Sequence, residues 1–538
     1  MGFRPFVFRL ADVNGLSGWV RNTPAGVVLE AQGESNGVGA FLRGLRDSAP
    51  PLSVISSIRT EEIPLVDEEQ GFSILESGGG GTTIQIAPDC DVCPDCLREL
   101  FDPSDRRFRY PFINCTNCGP RYTIITGIPY DRPFTTMADF PLCPDCRAEY
   151  ENPRDRRFHA QPVACPVCGP RLVLRDGAGR VVAGDPLETA ISLLKEGRIL
   201  AVKGIGGYHL AVDACNEEAV RELRRRKKRD EKPFAVMSPS LAEVAEYALF
   251  DPMEQRLLEG PERPIVLLRK RENSPVAPHV APSNGYIGVM LPYAPLHHLL
   301  LRGNFTALVM TSGNLSDEPI VYRDEEAGAV LSEIADFFLV HNRGIHIRTD
   351  DSVIRVFQGN PLFLRRSRGY VPRAVTLSAP QRSVLAVGAE LKGTVCLTRG
   401  DRAFLSQHIG DLGNDAVLRS LEETVEHMER ILDIRPEAVA HDLHPDYLST
   451  VYARGIADIP HIAVQHHHSH LASCMAEHGL EGEVIGVIFD GTGLGPDGTV
   501  WGGEFLVGGY TSFRRVGLFR PVRLPGGDAA VREPFRMA

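Results

Sequence analysis

Eight cysteines, arranged as four Cys-x-x-Cys pairs, are the residues of this chain best placed to do chemistry: Cys93/Cys96, Cys115/Cys118, Cys143/Cys146 and Cys165/Cys168. Eighteen residues separate the first pair from the second, and eighteen again separate the third from the fourth. A two-residue gap lets both thiolates of a pair bind one ion, and two pairs complete a tetrahedral shell of four sulfurs. The spacing therefore predicts two structural zinc ions; the doubled spacing argues against redox dithiols or disulfides. Whether consecutive or interleaved pairs share an ion is left open by spacing alone. Four soft ligands close the shell and leave no position for substrate, so the metal's work is to fold the chain.

Three further constellations carry chemistry. Arg224 to Lys232 holds seven basic residues in nine and leads into Pro233-Phe234-Ala235-Val236-Met237. A charge run by itself reads as a solvated helix end, but cations at a strand edge lie where α/β sheets bind phosphates. Lys203-Gly204-Ile205-Gly206-Gly207-Tyr208-His209 and Thr311-Ser312-Gly313-Asn314 follow strand-like runs, and Arg343, Arg348, Arg365, Arg366 and Arg368 add anion-binding capacity. Together these predict a nucleotide-handling cavity. In VQHHHSHLASCMAEHG, His466 and His470 are four apart, one face of a helix. Asp490, at the end of VIGVIFD, completes a two-His, one-carboxylate set suited to iron or zinc; His467 and His468 point elsewhere. Glycine turns at Gly388 to Thr394 and Asp490 to Gly493 are candidate phosphate cradles. Near the start, Arg4 and Asn22 form a pair suited to acyl phosphate hydrolysis, the guanidinium gripping phosphoryl oxygens and the amide orienting water.

The elements that must position these groups follow from pattern. The 538 residues predict about three to five domains. Residues 1–77 read as a small α+β unit, with strands Gly18–Asn22 and Gly26–Ala31 joined by a Thr-Pro-Ala-Gly turn and a helix over Gly37–Arg46. Gly78 to Gly81 marks a break. The zinc module fills 88–172 and is an internal repeat: CPDCLRELFDPSDRRFRYPFINCTNCGPR returns fifty residues later as CPDCRAEYENPRDRRFHAQPVACPVCGPR. From 184 to 372, strands such as Arg198–Val202 and Thr306–Met310 alternate with helices, one over Glu217–Arg229, predicting a mixed α/β sheet. Arg368 to Gln381 makes a boundary. In 380–538, Ser383–Gly388 and Val484–Phe489 read as buried strands, each followed by a glycine turn.

Composition narrows the class. With 58 basic and 69 acidic residues the net charge is −11, which disfavours a general nucleic-acid binder. The repeat's Arg106/Arg107, Arg121, Arg156/Arg157 and Arg171 are interleaved with acids and prolines. No run approaches the roughly 18 apolar residues of a membrane span, and the first residues lack the basic region, apolar core and cleavage site of a secretory leader, so secretion is not expected. Cys90, Cys215, Cys396 and Cys474 are the cysteines outside the array; that is no disulfide framework, and a reducing, cytoplasmic compartment suits zinc thiolates.

Three resemblances add to this. GFRPFVFRLA, GWVRNT and GVVLEAQG are similar to acylphosphatase motifs, which implies a ferredoxin-like unit with Arg4 and Asn22 as catalytic residues. KGIGGYHL, RKKRDEKPFAVM, RPIVLL, GVMLPYAPLHHLL, TSGNLSDEP and RTDDSV resemble the YrdC-like family, which adenylates a carbamate-type acid with ATP and magnesium. Its Lys-x-Arg pair falls on Lys227 and Arg229 and its Ser-x-Asn pair on Ser312 and Asn314. Lys203, His209, Arg263 and Arg368 become candidate nucleotide contacts, as do Lys392 and Gly491 further on. The last segment resembles the first lobe of a TsaD-like, actin/sugar-kinase-type domain.

The order acylphosphatase-like unit, double zinc module, YrdC-like and TsaD-like domains, helped by SQHIGDL, WGGEF and RLPGGDAAVREPFRMA, resembles the carbamoyltransferase family of nickel–iron hydrogenase maturation. That resemblance implies hydrolysis of carbamoyl phosphate to carbamate, its adenylation by ATP, and transfer of the carbamoyl group to a C-terminal cysteine of a HypE-type partner for cyanide ligand synthesis. Alternatives are a tRNA threonylcarbamoyl-adenosine enzyme and a non-enzymatic zinc scaffold. The acylphosphatase family has a strand and most of its phosphate loop before the glycine of GFR, and Ala538 lies 48 residues after Asp490. A chain truncated at both ends is therefore expected, still adenylating carbamate but weak in the first step and poor in thiol transfer.

Overall fold

The computed structural model describes residues 2–23, 26–50, 52–53, 55, 57–67, 69–75, 86–315 and 318–537. The chain divides into two compact units, residues 1–373 with 430–432, and 374–429 with 433–538. Among the described residues no helix is long and apolar enough to cross a membrane.

The first unit begins with helix Phe3–Val13, strands Ser17–Thr23 and Gly26–Gln32, helix Ser35–Asp47 and strand Phe72–Ile74. The central strand, Ser17–Thr23, runs antiparallel to the second and parallel to the third. Val7 and Ala11 of the first helix, Val20 of the central strand, and Phe41 and Leu45 of the second helix close one small core. Their spacing is the reason the elements form: i, i+4 positions on each helix meet the inward face of the strand. The expected second helix starts two residues earlier, at Ser35. The expected Pro24-Ala25 turn and the Gly78 to Gly81 break fall outside the described residues.

The zinc module is built twice. Helices Pro94–Phe101 and Pro144–Glu151 each begin with a cysteine at the N-cap and proline at the first helical position. Arg109 and His159, fifty residues apart, both take a left-handed backbone, with φ 55° and 51°. The sequence repeat is thus a structural repeat, down to a conformation non-glycine residues seldom adopt.

An eleven-stranded mixed sheet follows. Strand Leu172–Asp176 lies at its edge, antiparallel to Phe337–His341. Leu308–Ser312 sits between Tyr208–Asp213 and Ala235–Met237, so the residues after its end face the loop after helix Glu217–Arg226. Val212, Val236, Val266, Val289 and Val309 are fully buried between the sheet and its helices. That burial on both faces explains the near-continuous apolar strand sequences.

The second unit holds a five-stranded sheet and a three-stranded sheet. Val375–Gln381, expected as part of a linker, is an edge strand of the first, paired with Cys396–Leu405. Helix Asp415–Leu432 buries Val417, Leu421, Val425 and Met428, an apolar stripe of helical period. Helix His466–His478 starts under a Gln465 cap, whose side chain accepts from the His468 N–H, and ends at Gly479 with φ 60°.

One expected element differs. Val484–Phe489 is not a buried strand ending in a glycine turn; the strand runs without a break from Val484 to Leu494. Ile485, Val487 and Phe489 are exposed. Its register slips between Phe489, opposite Gly503, and Gly493, opposite Trp501. The extra residues bulge rather than turn, and bulging re-aims side chains without ending a strand.

Candidate functional sites

The two thiolate clusters are made by consecutive pairs. Cys93, Cys96, Cys115 and Cys118 gather at one point and Cys143, Cys146, Cys165 and Cys168 at another. Sulfur separations are 3.6 Å for Cys93–Cys115, 3.5 Å for Cys96–Cys118 and 3.8 Å for Cys115–Cys118. The second cluster repeats them, with 3.7 Å for Cys143–Cys165 and 3.8 Å for Cys165–Cys168. Zinc–sulfur bonds of about 2.3 Å in a tetrahedron require sulfurs about 3.8 Å apart. Both clusters fit a zinc ion, and neither is a disulfide.

The repeat's arginines cross over. Arg156 of the second repeat donates to Cys96 Sγ of the first at 2.9 Å. Arg106 and Arg107 of the first donate to Cys146 Sγ of the second at 3.3 and 3.4 Å. Glu99 pairs with Arg156 and Arg157, and Glu149 with Arg106 and Arg107. Burial raises Glu149, but the Arg107 hydrogen bonds outweigh it and bring its carboxyl down to about 2. Each site's metal sulfur is therefore held by the other repeat. Arg107 and Arg157 are buried in these pairs, so their charge is spent inside the module.

In the sheet domain, four residues singled out by sequence converge. The Lys227 ammonium donates to Ser312 O at 2.8 Å, Asn314 O at 2.7 Å and Asn314 Oδ1 at 2.8 Å. Ser312 Oγ donates to Asn314 Oδ1 at 2.8 Å, and Arg229 reaches Thr311 Oγ1 at 3.4 Å. The C-terminal end of a helix thus delivers two cations to the end of a strand. Burial, then the neighbouring Arg229, pushes Lys227 down to about 7; burial brings Arg229 to about 10. Cations so poorly solvated gain by meeting phosphate.

The other candidate nucleotide contacts are placed differently. Arg368 is fully buried, paired with Asp351 at 2.7 Å, bonded to Glu262 O and Arg263 O, and stacked on Tyr293. Arg263 pairs with Asp91 and ties the zinc module to the sheet domain. Both belong to the frame, because each guanidinium already has its anion. His209 lies 3.2 Å from Asp351, and Lys203 pairs with Asp324 at 2.6 Å. Nor do the glycines of Lys203 to His209 form an open cradle. A Cβ on Gly206 would lie 2.4 Å from Thr349 O, and one on Gly207 2.8 Å from Ile320, so they serve close chain packing.

In the first small domain, Arg4 sits in the first turn of its helix and contacts Leu75 O at 3.4 Å; Asn22 lies on the central strand. In the second unit, His466, His470 and Asp490 meet within 4.8 Å. His466 Nε2 is 3.0 Å and His470 Nε2 3.8 Å from Asp490 Oδ2. Asp442, not singled out by sequence, contacts His466 Nδ1 at 2.7 Å, the position from which a carboxylate orients a metal-binding imidazole. Gly493 is needed there because a Cβ would fall 2.8 Å from His466 Cβ. His467 is buried against Gly502 O, and His468 bonds Gly509 O. Lys392 lies on a turn with φ 51°, its N–H donating to Asp411. Gly491 is inside the bulged strand, its N–H turned to Asp490.

Comparison with known proteins fits this division. Residues 1–74 match an acylphosphatase family model, 92–125 and 142–175 the HypF finger, and 192–367 the Sua5/YciO/YrdC family described as telomere recombination. Residues 379–477 match the HypF Kae1-like domain and 486–538 a carbamoyltransferase Kae1-like domain, second subdomain. Carbamoyltransferase HypF2 of Cupriavidus necator is 51% identical over the whole of this chain and 70% of its own length. Carbamoyltransferase HypF of Synechocystis is 47% identical with the same coverage. The chain belongs to the HypF carbamoyltransferase family. A crystal structure of full-length HypF in a phosphate- and nucleotide-bound form superposes with TM-score 0.92 at 49% identity, covering 99% of this chain and 70% of that one. HypF of T. kodakarensis superposes with TM-score 0.92 at 44% identity, covering all of this chain and 70% of its own.

Within the HypF frame, the crossed arginines, like Asp442, do not emerge from the sequence reading. The signal was available: Glu99 and Glu149 each stand three residues after a cysteine, and Asp-Arg-Arg recurs with them. Replacing Arg156 with glutamine should lower zinc affinity at the Cys93 cluster by about 10–100-fold, the usual cost of losing an outer-shell partner. The Cys143 cluster should hold its ion more nearly as before. Stepwise zinc withdrawal by a chromophoric chelator resolves the two sites, and equal withdrawal from both would remove the claim.

Proposed function

We propose that this chain is an ATP-dependent carbamoyltransferase of nickel–iron hydrogenase maturation that runs three steps. Water hydrolyses carbamoyl phosphate to carbamate and phosphate at the acylphosphatase-like unit, with Arg4 holding the phosphoryl group and Asn22 orienting the water. Carbamate oxygen then attacks the α-phosphorus of magnesium-bound ATP, giving carbamoyl-adenylate and releasing pyrophosphate. Lys227 and Arg229 neutralise the triphosphate, and Ser312 and Asn314 orient the acid. Finally a cysteine thiol at the C-terminus of a HypE-type protein takes the carbamoyl group, releasing AMP and a proton.

The observation that carries the reading is the convergence of Lys227 and Arg229 on Ser312 and Asn314, two poorly solvated cations beside a hydroxyl and an amide. A full-length HypF captured with phosphate and nucleotide supports it. His466, His470 and Asp490, steadied by Asp442, would hold a divalent iron or zinc ion, which would polarise oxygen groups at the transfer site. Zinc thiolates favour a reducing compartment such as the cytoplasm.

ATP–pyrophosphate exchange tests it. Exchange should appear with carbamoyl phosphate, or with ammonium and bicarbonate, which equilibrate with carbamate. Exchange that needs bicarbonate and threonine would instead identify threonylcarbamoyl-adenylate synthesis, and no exchange with any acid would leave a zinc scaffold.

A further inference from the structure

The helix that carries Arg4, Phe3–Val13, rests on the zinc module at both ends. At its start, Gly2 takes a left-handed backbone, φ 74°, and its carbonyl accepts from the Phe6 N–H at 3.0 Å. A Cβ on Gly2 would stand 3.4 Å from Asn117 Oδ1 and 3.4 Å from Thr116 O, so this glycine packs against the Cys115-Thr116-Asn117-Cys118 knuckle. At the helix's other end, Asp12 accepts from Arg154 Nε at 3.1 Å and from Nη2 at 3.0 Å. That pairing is bidentate and so fixes direction.

Both supports are tied to the sulfurs of one cluster. The Asn117 N–H donates to Cys115 Sγ at 3.4 Å, and the Cys115 N–H to Cys118 Sγ at 3.3 Å. Arg154 stands two residues before Arg156, which donates to Cys96 Sγ at 2.9 Å and whose carbonyl accepts from Thr116. The Cys93 cluster therefore holds residues 116–117 and 154–156 together, and these bear the helix. The repeats do not share the two contacts. Asn117 is matched in the second repeat by Val167, which is 76% exposed, and Arg154 is matched in the first by Ser104.

Asn117 Oδ1 is enclosed yet has no hydrogen-bond partner among the described residues. What the side chain gives Gly2 is therefore shape. Glycine needs that help, because it has no side chain to anchor its own backbone and moves freely between conformations. Precision matters here, since reacting groups misplaced by about 1 Å can cost about 10²-fold in rate.

We propose that Asn117, with Arg154 at the far end, is a positioning residue for acyl phosphate hydrolysis, holding Gly2 and Arg4 in the geometry that grips the phosphoryl group, and that the Cys93 zinc cluster is the foot on which it stands. The role rests on the acylphosphatase reading of Arg4 and Asn22; the contact between knuckle and helix does not.

The test uses the full chain with both zinc ions. Hydrolysis of carbamoyl phosphate is read beside hydrogen exchange over Phe3 to Leu10, where the Phe6 amide bonds Gly2 O. Asn117→Ala should raise the KM about tenfold and leave kcat within about threefold, because the phosphoryl group is gripped alike in substrate and transition state. Exchange over the segment should quicken about tenfold as it opens locally. Asn117→Leu restores the shape without the amide and should recover most of both. Val167→Ala, the matched change in the second knuckle, should alter neither. Arg154→Asp, at an exposed side chain, should raise the KM about threefold, the scale of a surface ion pair, and should quicken exchange. It carries the test if Asn117→Ala loses zinc. Unchanged KM or unchanged exchange in Asn117→Ala, or in Arg154→Asp where that variant serves, would overturn the proposal. So would Asn117→Leu as weak as Asn117→Ala, which would make the amide a phosphate contact instead. Quickened exchange in Asn117→Ala, with a wild type that hydrolyses no carbamoyl phosphate, would leave the contact standing but sink the acylphosphatase reading and the positioning role with it.

Discussion

Lys227→Ala should slow ATP–pyrophosphate exchange by about 10²–10³, the usual cost of losing one preorganised electrostatic contact in a water-poor site. The ammonium lies within 2.8 Å of Ser312 O and Asn314 Oδ1, so its loss removes a positive charge and also frees the amide that orients the acid. Fold stability should suffer less than rate, because Lys227 sits at the end of its helix and is replaced there by a good helix former. The reaction should also depend on pH. Burial, assisted by Arg229, brings Lys227 down to about 7. The cationic form therefore prevails below pH 7 and thins out above it, while bound triphosphate favours it. ATP binding should take up protons above pH 7, and ATP affinity should fall between pH 7 and 9. Calorimetry in buffers of different ionisation heat measures the uptake. Exchange at the normal rate in Lys227→Ala would mean that adenylation happens elsewhere.

What the sequence made legible, and what it did not, divides along one physical line. Short-range geometry could be read. Cys-x-x-Cys fixes two sulfurs near one ion, and His466 and His470 share a face because a helix repeats every 3.6 residues. Lys227 and Arg229 straddle a helix end for the same kind of reason. Choices made by tertiary packing could not. Pairing of the four thiolate units depends on how the two repeats clasp, and only the folded chain shows Arg156 reaching Cys96. Arg368 reads in sequence as one more cation, and only the fold sets Asp351 beside it. Glycines mislead for a related reason. The chain approach that requires Gly206 or Gly493 comes from residues far away in sequence, Thr349 and His466. Asp442 was missed because an acid at a strand end acquires meaning only when a helix sets an imidazole against it.

The reciprocity of the zinc module leads to the second large effect. Cys115→Ser should remove about one zinc ion per chain and unfold the module locally. Structural zinc supplies roughly 10–16 kcal/mol of apparent binding energy, against the roughly 5–15 kcal/mol of net stability of a whole domain. A module this small, with one ion removed, has little else to hold it. Damage should also cross to the intact cluster. Thr116, beside the mutated residue, donates through its N–H and Oγ1 to Arg156 O at 3.2 and 3.0 Å, and Arg157 donates to Asn114 O at 3.3 Å. A loosened 114–116 segment therefore loosens Arg156 and Arg157, the pair by which the second repeat grips Glu99 of the first. The remaining zinc should leave to a chelator at lower concentration than either ion of the wild type, while Cys474→Ser, at an exposed position, should change nothing. Metal analysis with limited proteolysis reads both effects. Two ions retained in Cys115→Ser would refute the four-sulfur site, and one ion lost with the other held at wild-type strength would refute the coupling alone.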